Sequence, residues 1–222
     1  MDHSTTSSST YANAIAFNNQ GALHLSHGRF LNAAKSFHSA LDTIKASMDE
    51  PCKQEEEEPL QNYKKASFEW SEDPTPRLKL DVMDEQDDTF VFRRALVITP
   101  SDNVHDNEHV SESAAILYNL ALAYHLYGME SKSRFLPTAL RFYELAFGLY
   151  HSGEGDIHDL FDLALLNNLG QIHHLVLDFT KSEQCFIHLN QELQQSIVMD
   201  KRDYMGFLLN TTLQAPSAAP CA

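Results

Sequence analysis

Phe17-Asn18-Asn19-Gln20-Gly21 opens a pattern that returns as Leu166-Asn167-Asn168-Leu169-Gly170 in the last third of the chain. After the first glycine come His24, Gly28, Phe30, Ala33, Phe37, Ala40 and Leu41; after the second come His173, Phe179, Ser182, Phe186 and Leu189. Aligned on their glycines, both copies place an aromatic nine residues on, a small residue at twelve and Phe at sixteen. Leu117-Tyr118-Asn119-Leu120-Ala121, with Tyr124 and Gly128, begins a third copy. That copy resumes at Ala139, Tyr143 and Ala146 after a spacer six residues longer. Apolar residues three and four apart predict amphipathic helices in each copy. Self-similarity of this kind marks stacked units that bury their faces on one another.

The pattern resembles the tetratricopeptide repeat, whose unit is two antiparallel helices, and the match covers about half the chain. The resemblance implies that Gly21, Ala121 and Gly170 admit the second helix of each unit. It also implies that Ala33, Ala139 and Ser182 sit at the crossing, with Phe37, Tyr143 and Phe186 filling the space between helices. Three departures stand against it: the units are not contiguous, the second is stretched at Met129 to Leu136, and the inter-repeat proline is missing. The alternative is three unrelated amphipathic hairpins. The shared Asn19, Asn119 and Asn168 favour the repeat.

The expected fold is therefore all-α: about three TPR-like helical hairpins and a capping helix, with an acidic insertion. The predicted organisation is a disordered N-terminus at 1–10, a first repeat at 11–48, the insertion at 49–110, a second repeat at 111–151 and a third at 156–199. A capping helix at 200–214 and a flexible tail at 215–222 follow, the cap because a terminal unit must cover its apolar face. Within the insertion, Thr89 to Ile98 is rich in β-formers and predicts a strand paired with Leu78–Val82, a β-hairpin at 78–98. Asp49 to about Arg77 reads as solvated loop.

The chain has 222 residues, 43% hydrophobic and 21% charged, which excludes wholesale disorder. Its formal net charge is −15, so phosphate backbones and anionic membranes are repelled. From Asp49 to Val110 there are 17 acids and 7 bases, so two-thirds of the excess sits in the insertion. Cys52, Cys185 and Cys221 lack metal-ligand spacing and read as free thiols of a reducing compartment. Neither a secretory signal nor an apolar run of membrane-spanning length is visible, so a cytoplasmic location is expected, the nucleus remaining open. Asn210-Thr211-Thr212 matches a glycosylation sequon, expected to be silent without a secretory route.

No nucleophile motif or phosphate-binding glycine loop appears, so no catalytic residue, cofactor or metal is expected. A metal-dependent enzyme using His105, Asp106 and His109 is kept as a contrasting reading, although that stretch is loop-like and lacks a third spaced histidine. The resemblance implies instead that the first helix of each unit lines a groove for an extended or helical protein or peptide. The implied lining is Asn18, Asn19, Ala22 and Leu25; Tyr118, Asn119, Leu122 and His125; and Asn167, Asn168, Gln171 and His174. Amides carry both donor and acceptor, so they suit a peptide main chain without selecting charge. Bracing of the helices by the same asparagines is the competing reading. Chaperone-tail capture is disfavoured, because the family's cationic clamp positions hold Asn18, Ala164 and Asn168. The predicted function is a non-catalytic adaptor, with the acidic insertion as an alternative surface for a basic partner. A homodimer sharing apolar ends is compatible with an array of only three units.

Overall fold

The computed structural model describes residues 4–48, 66–72, 90–99, 110–131, 133–152, 159–195 and 199–212. Where the glycine pattern occurs, the chain forms helical hairpins: α1 (Ser4–Ser26) with α2 (Phe30–Met48), and α5 (Asp159–Leu175) with α6 (Phe179–Gln195). A Cβ at Gly21 would overlap the ring of Phe37, and one at Gly170 the ring of Phe186. The absent side chain is thus what lets each second helix lay an aromatic ring across the first. α3 (Val110–Glu130) and α4 (Leu136–Ser152) form the middle hairpin, with a 3₁₀ turn at Ser133–Phe135 taking up part of its longer spacer. There the buried ring is Tyr143, and Ala121 is fully buried too.

The first and third hairpins turn in the same way. Gly28 has φ +68°, and Arg29 N–H donates to His24 O. Seven residues after the other glycine, Leu177 has φ 66°, and Asp178 N–H donates to His173 O. Glycine adopts this left-handed conformation freely, whereas leucine does so at a cost.

The hairpins stack in chain order, α2 against α3 and α4 against α5, and α6 packs on α7 (Lys201–Thr211). Asp200 caps α7 by accepting from Arg202 N–H at 2.8 Å. Two short strands, β1 (Ser67–Trp70) and β2 (Leu96–Thr99), pair antiparallel in the register Ser67 to Thr99 and Trp70 to Leu96. One apolar core joins the helices to Phe68, Val91, Phe92, Ala95, Leu96 and Ile98. No helix among the described residues is long and apolar enough to cross a membrane.

Two expectations change. Helix α1 begins at Ser4 rather than near residue 11. Adding residues to an existing helix avoids the cost of nucleation, which offsets the low propensity of Ser and Thr. β2 pairs with Ser67–Trp70, inside the stretch expected as solvated loop; the expected partner at 78–82 lies outside the described residues. Residues 49–65 and 73–77, the rest of that stretch, also lie outside, as do the tail and His105, Asp106 and His109.

Candidate functional site

Asn18 and Asn19 on α1, Asn119 on α3, and Asn167 and Asn168 on α5 all reach one stretch of the chain itself, Phe90 to Ile98. Their contacts fall on alternate residues of that stretch. Asn19 accepts from Ile98 N–H at 2.9 Å and donates to Ile98 O at 2.8 Å. Asn119 accepts from Leu96 N–H at 2.8 Å and donates to Leu96 O at 2.7 Å, while Asn18 donates to the same carbonyl at 2.9 Å. Asn168 grips Phe92 in the same two-point manner, both bonds at 3.0 Å. At Phe90, Asn210 of α7 accepts from the N–H at 2.8 Å and donates to the carbonyl, to which Asn167 also donates. The segment therefore runs from α7 through α5 and α3 to α1, against the order of the helices.

A primary amide is the side chain that answers both polar groups of one extended residue, since it carries an acceptor and a donor side by side. In an extended strand, alternate residues turn their peptide groups to opposite edges. One edge of this segment faces β1, with Ser71 N–H donating to Ala95 O at 2.8 Å. Its other edge meets the asparagines, which take the place of a neighbouring strand.

The amides also bind one another, forming two chains. Asn119 donates to Asn18 Oδ1 at 2.8 Å, and Asn18 donates to Asn19 Oδ1 at 3.1 Å. Likewise Asn210 donates to Asn167 Oδ1 at 2.8 Å, and Asn167 donates to Asn168 Oδ1 at 3.0 Å. Five of the six are fully buried, and Asn19 partly so. Buried polar groups are costly unless satisfied, so these chains are what permit such residues here.

Between the two amide chains, Tyr118 donates its phenol to Arg94 O at 3.2 Å. Burial first, and then nearby Tyr143, hold the Tyr118 phenol well above its ordinary range, which keeps it a donor. The Arg94 guanidinium lies 3.3 Å from the carboxylate of Asp203 on α7. Around the segment, Phe92 stacks on Phe207 at 5.5 Å and meets Trp70 of β1 edge-on at 4.9 Å.

The remaining residues of the implied lining are placed elsewhere. His125 and Gln171 are fully buried and hydrogen-bond each other between α3 and α5, with His125 Nδ1 3.4 Å from Tyr143 Oη. Burial drives the His125 pKa down to about 3, so the ring is neutral. Tyr143 also accepts from Asn168 at 3.0 Å, which ties this pair to the grip on Phe92. His174 stands near the α5–α6 turn, its ring 5.3 Å from that of Phe179. Ala22, Leu25 and Leu122 are apolar core. The segment crosses each helix over about one turn, so side chains one or two turns farther along meet the next helix instead.

Two participants lie beyond the sequence expectations. Asn210 stands in the sequence as part of a sequon; it is fully buried, and its amide is spent on Phe90 and Asn167. The bound segment is expected from sequence as a hairpin strand. Its apolar residues stand side by side on either flank of Arg93-Arg94, without strict polar alternation, as in a strand covered on both faces. Among the described residues, no cluster of three His, Cys, Asp or Glu side chains is arranged to hold a metal ion.

No protein-family model, curated protein or solved structure matches the chain.

Proposed function

We propose that this chain is a non-catalytic protein-interaction module of TPR-like hairpins whose asparagine-lined groove binds extended polypeptide through its main chain. Residues 90–99 are the ligand it holds in cis. The observation carrying this reading is the repeated two-point amide grip on alternate residues, from Asn210 at Phe90 to Asn19 at Ile98. Helix bracing alone would not need a donor and an acceptor matched to one backbone residue at four of five alternate places. Amides hold neither proton nor nucleophile at neutral pH, so this surface suits binding rather than acid–base work. Spaced small residues opposite Phe37 and Phe186, and the shared turn at Gly28 and Leu177, support the repeat reading.

A partner reaches the groove by replacing the cis segment. Phe92, Leu96 and Ile98 are almost wholly buried, and burial of such side chains contributes about 1.5–3 kcal/mol each. A tethered segment also acts at an effective concentration on the order of millimolar. Exchange is therefore slow while the tether is intact, and severing it exposes the binding equilibrium.

Full-length protein would be given one protease site within 81–88 and another within 101–108, then cut after folding. A fluorescent peptide of residues 88–101 should exchange into the cut protein, with a rise in anisotropy that unlabelled peptide reverses. Asn119→Ala should weaken that exchange. A cut protein that keeps its helix content and its original segment, yet takes up no peptide at any concentration, would defeat the reading.

A further inference from the structure

Four of the five alternate residues in the bound segment are read by amides, which are indifferent to side-chain identity. Arg94, the central one, is different. Among the described residues its main chain is met at the carbonyl, by the Tyr118 phenol, and its side chain pairs with Asp203. Only 6% of the Asp203 side chain is exposed, and it sits in the first turn of α7, where the helix dipole favours a carboxylate. Phe207, one turn along the same helix, packs against the rings of both Phe90 and Phe92.

The geometry points to Asp203 as the selectivity residue of the groove. The partner it admits is an extended segment with arginine at its centre, an aromatic residue two positions before and aliphatic residues two and four positions after. This rests on the groove reading above and adds what that reading lacks, a side chain the groove can recognise. A neutral residue at the centre withdraws a cation from a carboxylate that is nearly out of water, and an acidic residue adds repulsion. Lysine offers a point charge without the planar fork and is the weaker substitute. Arg93 supplies an internal control, because the same side chain one residue earlier makes no ion pair with Asp203.

The test uses the cut protein loaded with fluorescent native peptide. Three unlabelled competitors are titrated: the native 88–101 peptide, its Arg93→Gln form and its Arg94→Gln form. Arg94→Gln should compete at least about tenfold more weakly than native, and Arg93→Gln within about threefold. Replacing Asp203→Asn in the protein should erase the distinction. Should that variant fail to fold, the two competitors on the unaltered protein still decide. Equal competition by both, or a preference that survives Asp203→Asn, overturns the selectivity and leaves the groove reading intact. Failure of every peptide to exchange overturns the groove reading, and this inference with it.

Discussion

Replacing Asn119 with alanine tests the grip on Leu96. The carboxamide of Asn119 makes three bonds: it accepts from Leu96 N–H, donates to Leu96 O, and donates to Asn18 Oδ1. Leu96 O keeps a second donor in Asn18, so it survives the change. The Leu96 N–H and Asn18 Oδ1 do not, and both lie in residues with no exposed surface. Stranding a buried polar group costs about 1–3 kcal/mol, so two together cost about 4 kcal/mol. That is a large share of the 5–15 kcal/mol typical of a domain. Urea unfolding followed by circular dichroism measures it, with exposed Asn190→Ala on α6 as the control, expected within about 0.5 kcal/mol of wild type. Asn119→Asp adds a pH signature. Its carboxylate would face two acceptors, so its folded pKa lies above the unfolded value of about 4. The variant is then nearest to wild type at or below that pH and falls behind as pH rises. A cost under about 1 kcal/mol for Asn119→Ala, at unchanged denaturant slope, would refute the claim that this amide holds the segment.

The other expectations are simpler. Leu177→Gly should stabilise the protein by about 1 kcal/mol in thermal or urea melts, because an exposed leucine now holds a left-handed turn. Gly170→Ala should destabilise it by about 1–3 kcal/mol, since the Phe186 ring must move. Gly148→Ala, with open space around it in α4, should be neutral or stabilising in the same melts. His125 is neutral when folded, with its pKa lowered to about 3 by burial, whereas the unfolded value is near 6.5. Between those values the unfolded chain binds the extra proton, so stability falls on acidification from pH 6.5, by up to about 1.4 kcal/mol per unit. His125→Gln should flatten that slope in melts at pH 6.5, 5.5 and 4.5.

The helical architecture was legible because it is written in local spacing. Gly21 with Phe37, and Gly170 with Phe186, stand sixteen residues apart, and in each pair the missing Cβ makes room for the ring. The asparagines were visible for the same reason, recurring at one place in each unit. What they bind was not legible, because the segment lies in the same chain and its contacts with α1 span 78 or 79 residues. The strand partner illustrates the same limit. Hairpin logic favours the nearest β-prone stretch, yet β2 lies opposite Ser67–Trp70, where Phe68 and Trp70 cover it. His125 and Gln171 lie on the same two helices as the contact residues Asn119 and Asn168, yet they face each other instead of the segment.

The central claim is that asparagine side chains stand in for a neighbouring strand along Phe90 to Ile98. Residue-resolved amide hydrogen exchange tests it most directly, because the N–H groups of Phe92, Leu96 and Ile98 end on Asn168, Asn119 and Asn19. The account predicts that these three amides are protected to a degree comparable with the middle of α3 and α5. It predicts too that Asn119→Ala selectively releases Leu96. Exchange of all three at the rate of an unstructured peptide, while α3 and α5 stay protected, would contradict it.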